Sequence, residues 1–180
     1  MWRATADLGA TGPIRALEPG CGSGNFLAFA PSQAELTGVE LDATTGRIAQ
    51  HLYGQRAAVH IGPFEHLRMD DGSFDVVIGN VPFAKVTPHD PHHNRGRHAL
   101  HNYFLLKSLH LVRPRGIVMA LTSRFTLDAR NAAARREMAS LADLVGAVRL
   151  PAGAFARSSG TDVVVDLVVL RRRLPGDEPN

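Results

Sequence analysis

The sequence predicts a doubly wound α/β domain with a mostly parallel seven-stranded sheet and an antiparallel last pair of strands. Short runs rich in Val, Ile and Leu alternate with helix-like segments, which is typical of a parallel sheet covered by helices. The last two runs follow each other with no helix between them, which predicts the antiparallel pair. A chain of 180 residues with 44% hydrophobic and 21% charged residues is sufficient for one folded domain.

Each element follows from a local pattern. Apolar runs predict strands at residues 14–18, 35–41, 57–61, 74–80, 116–122, 144–150 and 162–171. Helical periodicity predicts helices at residues 24–29, 43–53, 99–112 and 129–141. Asp42 and Thr44 are candidate caps for the second helix. Residues 84–98, rich in Pro, His and charge, predict a long loop, and residues 174–180 a polar tail.

Composition excludes several classes of protein. No apolar run approaches the roughly 18 residues of a membrane span, and residues 1–13 do not resemble a signal peptide. We therefore expect a cytoplasmic protein with no membrane partner. The net charge of +3 permits a polyanionic partner without indicating one. A single cysteine, Cys21, excludes a disulfide framework and a zinc site built on several thiolates.

A glycine-rich loop after the first predicted strand indicates a nucleotide-type ligand. Gly20, Gly22 and Gly24 allow a sharp turn and a close approach of a ligand to the backbone at a helix start. The spacing differs from the dinucleotide fingerprint, and Glu18 favours a cationic amine over a pyrophosphate. Glu40 ends the second strand, where an acid can accept hydrogen bonds from ribose hydroxyls. S-adenosylmethionine, which carries both an ammonium and a carboxylate, fits this pattern.

A second motif, Asn80-Val-Pro-Phe83, follows the fourth predicted strand. In a doubly wound sheet the carboxyl ends of central strands face one crevice, so this motif should lie beside the glycine loop. The Asn80 amide oxygen and the Val81 carbonyl can accept from an exocyclic amine, and Phe83 offers a face for stacking a base.

The two motifs together resemble those of the amino-methyltransferases that act on adenine N6. The resemblance covers roughly residues 17–172. The sequence most resembles the DNA adenine methylase portion of bacterial and phage helicase-methylase fusions. The resemblance implies a role in restriction-modification. Supporting segments begin at His101, Gly116, Leu150 and Gly160.

The resemblance implies a class I, Rossmann-like methyltransferase domain at residues 1–173. Its implied cofactor is S-adenosylmethionine, its partner is DNA with a flipped adenine, and its product is N6-methyladenine. The candidate catalytic residues are Asn80, Val81, Pro82 and Phe83. The candidate cofactor-binding residues are Glu18, Pro19, Gly20, Cys21, Gly22, Gly24, Asn25, Phe26, Glu40, Leu41, Phe64 and Asn80. Phe155 is a further candidate base contact.

Three departures from the family pattern keep alternatives open. Val81 replaces a proline, and Gly62-Pro-Phe64-Glu65 stands where many relatives place an acid for the cofactor adenine. No target-recognition domain is expected within the sequence, so specificity requires a separate domain or subunit. A protein glutamine N5-methyltransferase, which uses a similar motif, and a non-catalytic cofactor-binding subunit or remnant are the alternatives.

Two other chemistries are not predicted. Cytosine C5 methylation needs a cysteine nucleophile in the base pocket, whereas Cys21 lies in the cofactor loop. The histidines of the long loop have spacings that match no common zinc pattern, so no metal is assigned and a solvated or DNA-facing loop is expected. They are His89, His92, His93 and His98, with His101 just beyond.

Overall fold

The computed structural model describes residues 1–151 and 164–178. The strands are β1 (Arg15–Pro19), β2 (Glu35–Glu40), β3 (Ala57–Ile61), β4 (Phe74–Asn80), β5 (Val112–Ser123), β6 (Ala142–Arg149) and β7 (Val165–Arg172). The helices are α1 (Trp2–Asp7), α2 (Asn25–Ala28), α3 (Ala43–Tyr53), α4 (Leu100–Leu111), α5 (Phe125–Asp128) and α6 (Ala133–Leu141), with a 3₁₀ turn at Phe64–His66. Each helix in these ranges is too short or too polar to cross a membrane.

The strands form one sheet in the order β3-β2-β1-β4-β5-β7-β6. The pairs among β1 to β5 are parallel, and β7 runs antiparallel to both β5 and β6. The predicted fold class is therefore confirmed. After β5 the chain forms the edge strand β6 and then β7, which lies between β5 and β6. The antiparallel part of the sheet therefore comprises two pairings, β5 with β7 and β7 with β6.

Alternation along the strands gives the sheet two buried faces. On the first face, Leu17 and Val77 pack in a cluster with the apolar side of α4 and α6. On the opposite face, Ala16, Val76 and Ile78 pack in a second cluster with α1, α2 and α3. This is the period of two that a strand imposes, applied to strands buried on both sides.

The element predictions were accurate to one residue for β1 to β4, whereas β5 begins four residues before its predicted start at residue 116. The strands at 57–61 and 74–80 and the helix at 43–53 have the predicted bounds, and Asp42 accepts from the Thr45 N–H at 2.7 Å as its cap. The helix predicted at 129–141 was wrong over its first turn, because Asn131 accepts from the Ala133 N–H at 2.9 Å and starts α6 there. Helix α1 was not predicted. Trp2 holds it by donating from its indole to the Phe26 carbonyl at 2.9 Å.

Candidate active site

The glycine loop connects β1 to α2 at the carboxyl edge of the sheet. Gly22 and Gly24 have φ angles of +55° and +91°, a region that side-chain-bearing residues rarely adopt. A methyl group on Gly24 would come within 2.7 Å of Cδ2 of the Tyr53 ring, whereas one on Gly22 would meet no protein atom within 4 Å. The loop is therefore packed from below at Gly24 and open above Gly22, as a ligand cradle requires.

Glu18 lies under this loop with 3% of its surface exposed. Its carboxylate accepts from the Leu27 N–H at 3.0 Å and from the Phe26 N–H at 3.4 Å. Burial raises the pKa of Glu18 from 4.5 to about 8, although these two hydrogen bonds act in the opposite direction. Glu18 was predicted to face a ligand ammonium. In the structure its carboxylate holds the first turn of α2 against β1.

Glu40 ends β2 and grips the loop from the other side. One carboxylate oxygen accepts from the Gly22 N–H and the other from the Asp42 N–H, both at 2.8 Å. A carboxylate offers about four acceptor positions, so each oxygen retains a lone pair for a further donor. Glu40 therefore fixes Gly22 and still has capacity for ribose hydroxyls, the role predicted for it.

The remaining candidates around the loop divide into exposed and buried groups. Asn25 and Leu41 are exposed beside it, Phe26 is half-buried, and Pro19 is buried where β1 pairs with β2. Cys21 is buried, and its N–H donates to the Val39 carbonyl at 2.9 Å. Burial, followed by the nearby charges of Glu18 and Glu40, raises the pKa of the Cys21 thiol to about 12. The thiol is therefore protonated near neutral pH and packs beneath the loop.

Residues 80–83 lie next to the glycine loop. β4 pairs with β1, and a methyl group on Gly20 would lie 3.6 Å from Cδ of Pro82 and 3.8 Å from the Asn80 carbonyl oxygen. The Val81 side chain is buried, and its N–H donates to the Leu121 carbonyl at 3.0 Å, which extends the β4–β5 pairing past the strand end. Asn80 and Phe83 are exposed, Phe83 at 40%. The structure therefore brings the two predicted motifs together.

A cavity of about 320 Å³ opens near the ends of β2 and β3. It is lined by Val39, His60, Ile61, Gly62, Pro63, His66, Leu67 and Arg68. Phe64, a predicted wall of the cofactor pocket, is only 3% exposed and packs on Phe104 with ring centroids 4.8 Å apart. In this structure the Phe64 side chain is therefore part of the hydrophobic core. Two of the lining residues, Gly62 and Pro63, belong to the segment in which the sequence lacks the acid expected for the cofactor adenine.

A buried polar group that no sequence motif indicated lies behind this site. Lys107 is fully buried and donates to the Phe64 carbonyl at 2.8 Å and to Asp90 at 3.3 Å. Tyr103 donates its hydroxyl to the same Asp90 carboxylate at 2.8 Å. Burial alone would raise the pKa of Asp90, but the hydrogen bonds from His93, Tyr103 and Lys107 outweigh it and lower this pKa. The available signal was a lysine directly after the apolar run of residues 103–106.

The expectation of a solvated histidine loop was wrong in part. Residues 84–98, hereafter the strap, form no helix or strand, as predicted, but Asp90, His93, Asn94 and His98 are buried. Asn94 accepts from the His98 N–H at 2.8 Å and donates to the Pro88 carbonyl at 2.9 Å, so the strap is held by its own side chains. His89 and His92 are exposed as expected. Phe155 lies outside the described residues.

Comparisons with known proteins agree with this architecture. Residues 16–98 match the sequence profile of the family described as "Methyltransferase domain". A comparison with curated protein sequences finds no match. The sheet topology is that of the Rossmann-like methyltransferase fold, and residues 16–98 are similar to this family.

Solved structures of this fold are similar at low sequence identity. A Listeria monocytogenes protein described as a class I S-adenosylmethionine-dependent methyltransferase is 17% identical with a TM-score of 0.75, over 96% of this chain and 58% of its own. A modification subunit described for a type I restriction enzyme of Vibrio vulnificus is 19% identical with a TM-score of 0.70, over 88% and 40%.

A Haemonchus contortus phosphoethanolamine N-methyltransferase, solved with phosphoethanolamine and S-adenosylhomocysteine, is 15% identical with a TM-score of 0.63, over 97% and 42%. The chain thus spans about half the length of these three proteins. At this level of identity the likeness shows the fold, so the acceptor has to be inferred from this chain's own residues.

Proposed function

We propose that this domain transfers a methyl group from S-adenosylmethionine to the N6 amine of adenine in DNA. The observation that carries the proposal is the position of Asn80-Val-Pro-Phe83 at the carboxyl end of β4, directly beside the glycine loop on β1. Adjacent central strand ends form the usual ligand crevice of such a sheet. The choice of DNA as acceptor is supported by this chain's own motif, whose Asn80 and Phe83 are exposed at the strand end.

The residues around the loop fit the cofactor. The space above Gly22 leaves its backbone accessible, and Glu40 keeps acceptor capacity at the end of β2. When bound, S-adenosylmethionine supplies an electrophilic methyl group on a sulfonium. Glu40 would hold the ribose, and the N–H groups of the glycine loop would bind the carboxylate.

On the acceptor side, the task of the protein is to position a weakly nucleophilic amine. The lone pair of adenine N6 is delocalised into the ring, and acceptors that hold its two hydrogens favour a more tetrahedral nitrogen. Asn80 is exposed at the strand end, where its amide oxygen would accept one hydrogen, and the Val81 carbonyl would accept the second. Phe83 would stack on the base and offset part of the cost of flipping it out of the duplex.

The test is a paired measurement on Asn80→Ala. The variant should bind S-adenosylmethionine with nearly unchanged affinity, because the cofactor is held at β1 and β2. Methylation should fall by about 100- to 1000-fold, the range for removal of one preorganised polar group at a reacting centre. The matched control is Asn131→Ala, which removes an exposed asparagine at the start of α6 and should leave both quantities unchanged.

The assay measures N6-methyladenine on single- and double-stranded DNA of mixed sequence, alongside calorimetry with the cofactor. An Asn80→Ala variant that keeps most of its methylation rate would refute the role of Asn80. Methylation of glutamine in protein substrates but not of DNA would replace the proposal with the glutamine alternative. Cofactor binding without methylation of either substrate would indicate a non-catalytic subunit.

A further inference from the structure

A compact group of residues with metal-binding side chains lies at the amino ends of the parallel strands. The glycine loop lies at their carboxyl ends. Asp71, in the turn before β4, and His92 and His93, in the strap, each place one ligand atom within 4.8 Å of those of the other two. Asp71 is 21 positions from His92 in sequence. The histidine spacings considered alone therefore did not reveal this cluster.

The side chains in the cluster are oriented by other groups. Nδ1 of His93 lies 3.3 Å from Oδ2 of Asp90, and Oδ1 of Asp90 accepts from the backbone N–H of His93 at 3.0 Å. Nδ1 of His110 lies 3.4 Å from Oδ2 of Asp71. A carboxylate that fixes the far nitrogen of a histidine is the usual support of a metal-binding imidazole.

The facing nitrogen of His93 is the informative one. Its Nε2 lies 3.2 Å from Oδ1 of Asp71, while Nδ1 faces the charged Asp90. Asp90 thus holds one nitrogen of the ring, and the other nitrogen is turned toward the Asp71 carboxylate, where a cation can bind between them.

We propose that Asp71, His92 and His93 bind one divalent transition-metal ion of the zinc type. Two imidazole nitrogens and one carboxylate oxygen suit such an ion, and its ligand atoms lie roughly 3.4 Å apart when bonds are about 2.0 to 2.1 Å in tetrahedral geometry. The exposed His92 can close the remaining gap by side-chain rotation. A cavity of about 350 Å³, lined in part by Asp71, His92, His110 and Glu137, gives the ion access and room for a water ligand.

The role of the ion is structural. The strap begins directly after Phe83 and reaches the far edge of the sheet at His92 and His93 before returning to α4. An ion bound there ties the strap to the turn before β4. It lies on the edge opposite to the residues proposed for methyl transfer, so it takes no part in that chemistry.

The experiment titrates Zn²⁺ into the metal-stripped chain and measures stoichiometry by equilibrium dialysis and the melting temperature by circular dichroism. We expect one ion per chain and a rise in melting temperature, since an ion that binds the folded state alone stabilises it. His92→Ala and Asp71→Asn should each weaken Zn²⁺ binding by at least about 100-fold. The control, His89→Ala, removes an exposed histidine of the same strap and should bind as the unsubstituted chain does.

Three results would overturn the proposal. One is the absence of saturable Zn²⁺ binding by the unsubstituted chain. Another is equal loss of binding in His89→Ala and His92→Ala, which would indicate nonspecific coordination. The third is a melting temperature that Asp71→Asn lowers while Zn²⁺ leaves it unchanged in every variant, which would assign the contact to a direct pairing of His93 with Asp71. His92 is exposed, so its variant is expected to fold and keeps the test decisive.

Discussion

Replacing Glu18 by glutamine tests how the glycine loop is supported. The Glu18 carboxyl has its pKa raised from 4.5 to about 8, mainly because the folded chain removes it from water. In the unfolded chain the pKa of Glu18 is near 4.5. Between pH 4.5 and 8 the folded state therefore binds more protons at this group than the unfolded state does. Stability therefore falls as pH rises through this window, and above pH 8 the native state bears the full cost of the buried charge.

The magnitude follows from the two pKa values. A difference from 4.5 to about 8 corresponds to about 5 kcal/mol at high pH, of which about 4 kcal/mol develops between pH 5 and pH 8.5. Glu18→Gln keeps the shape of the side chain and removes its titration. Any cost of placing the introduced amide beside the N–H groups of α2 is independent of pH and appears as a constant offset.

The assay is urea unfolding at pH 5.0, 6.5 and 8.5. The stability of Glu18→Gln relative to the unsubstituted chain should rise by about 4 kcal/mol across this range. Glu35→Gln, whose side chain is 74% exposed at the start of β2, is the control and should show no comparable trend. Parallel stability curves for Glu18→Gln and the unsubstituted chain would refute the assignment of a buried, protonated Glu18.

Three further predictions concern the loop and the base-stacking residue. Glu40→Ala should weaken S-adenosylmethionine binding by about 1 to 3 kcal/mol in calorimetry, because it removes the acceptor that fixes Gly22 and would hold the ribose. Equal affinity of the variant and the unsubstituted chain would contradict this. Phe83→Ala should weaken DNA binding by about 1 to 3 kcal/mol, because stacking on the base is lost, while cofactor affinity stays constant. A change in cofactor affinity alone would be inconsistent with stacking. Gly24→Ala should destabilise the fold by about 1 to 3 kcal/mol in thermal unfolding, because its φ is positive and Tyr53 occupies the space, and an unchanged melting temperature would count against this packing.

The sequence predicted the parallel half of the sheet because each of those strands is defined by local signals. Continuous apolar runs such as that of β4 and glycine punctuation after β1 act over a few residues, so periodicity alone gives their bounds. The juxtaposition of residues 80–83 with the glycine loop followed from the general rule for doubly wound sheets. What the sequence could not give was the insertion of β7 between β5 and β6, which is a pairing over long range.

The sequence did not show which polar residues are buried. Glu18 is buried and accepts from two N–H groups of α2, and its predicted role toward a ligand stays a prediction. The strap was predicted to be a solvated or DNA-facing loop, yet Asp90 and His93 are buried. Composition does not show that a charged side chain has a partner elsewhere in the chain, and such a partner makes burial possible.

Lys107 connects the two sides of the proposed site. Its ammonium donates to the Phe64 carbonyl, next to the cavity at the end of β3, and to Asp90 of the strap that follows Phe83. Burial lowers the pKa of Lys107, and the charge of Asp90 opposes this shift. Removing either partner would leave a buried charge without compensation, at a cost of about 3 to 5 kcal/mol, and would loosen both segments together. The cofactor and acceptor sides can therefore be separated by substitutions at their own edges, at Glu40 and Asn80, whereas a change at this shared ion pair disturbs both.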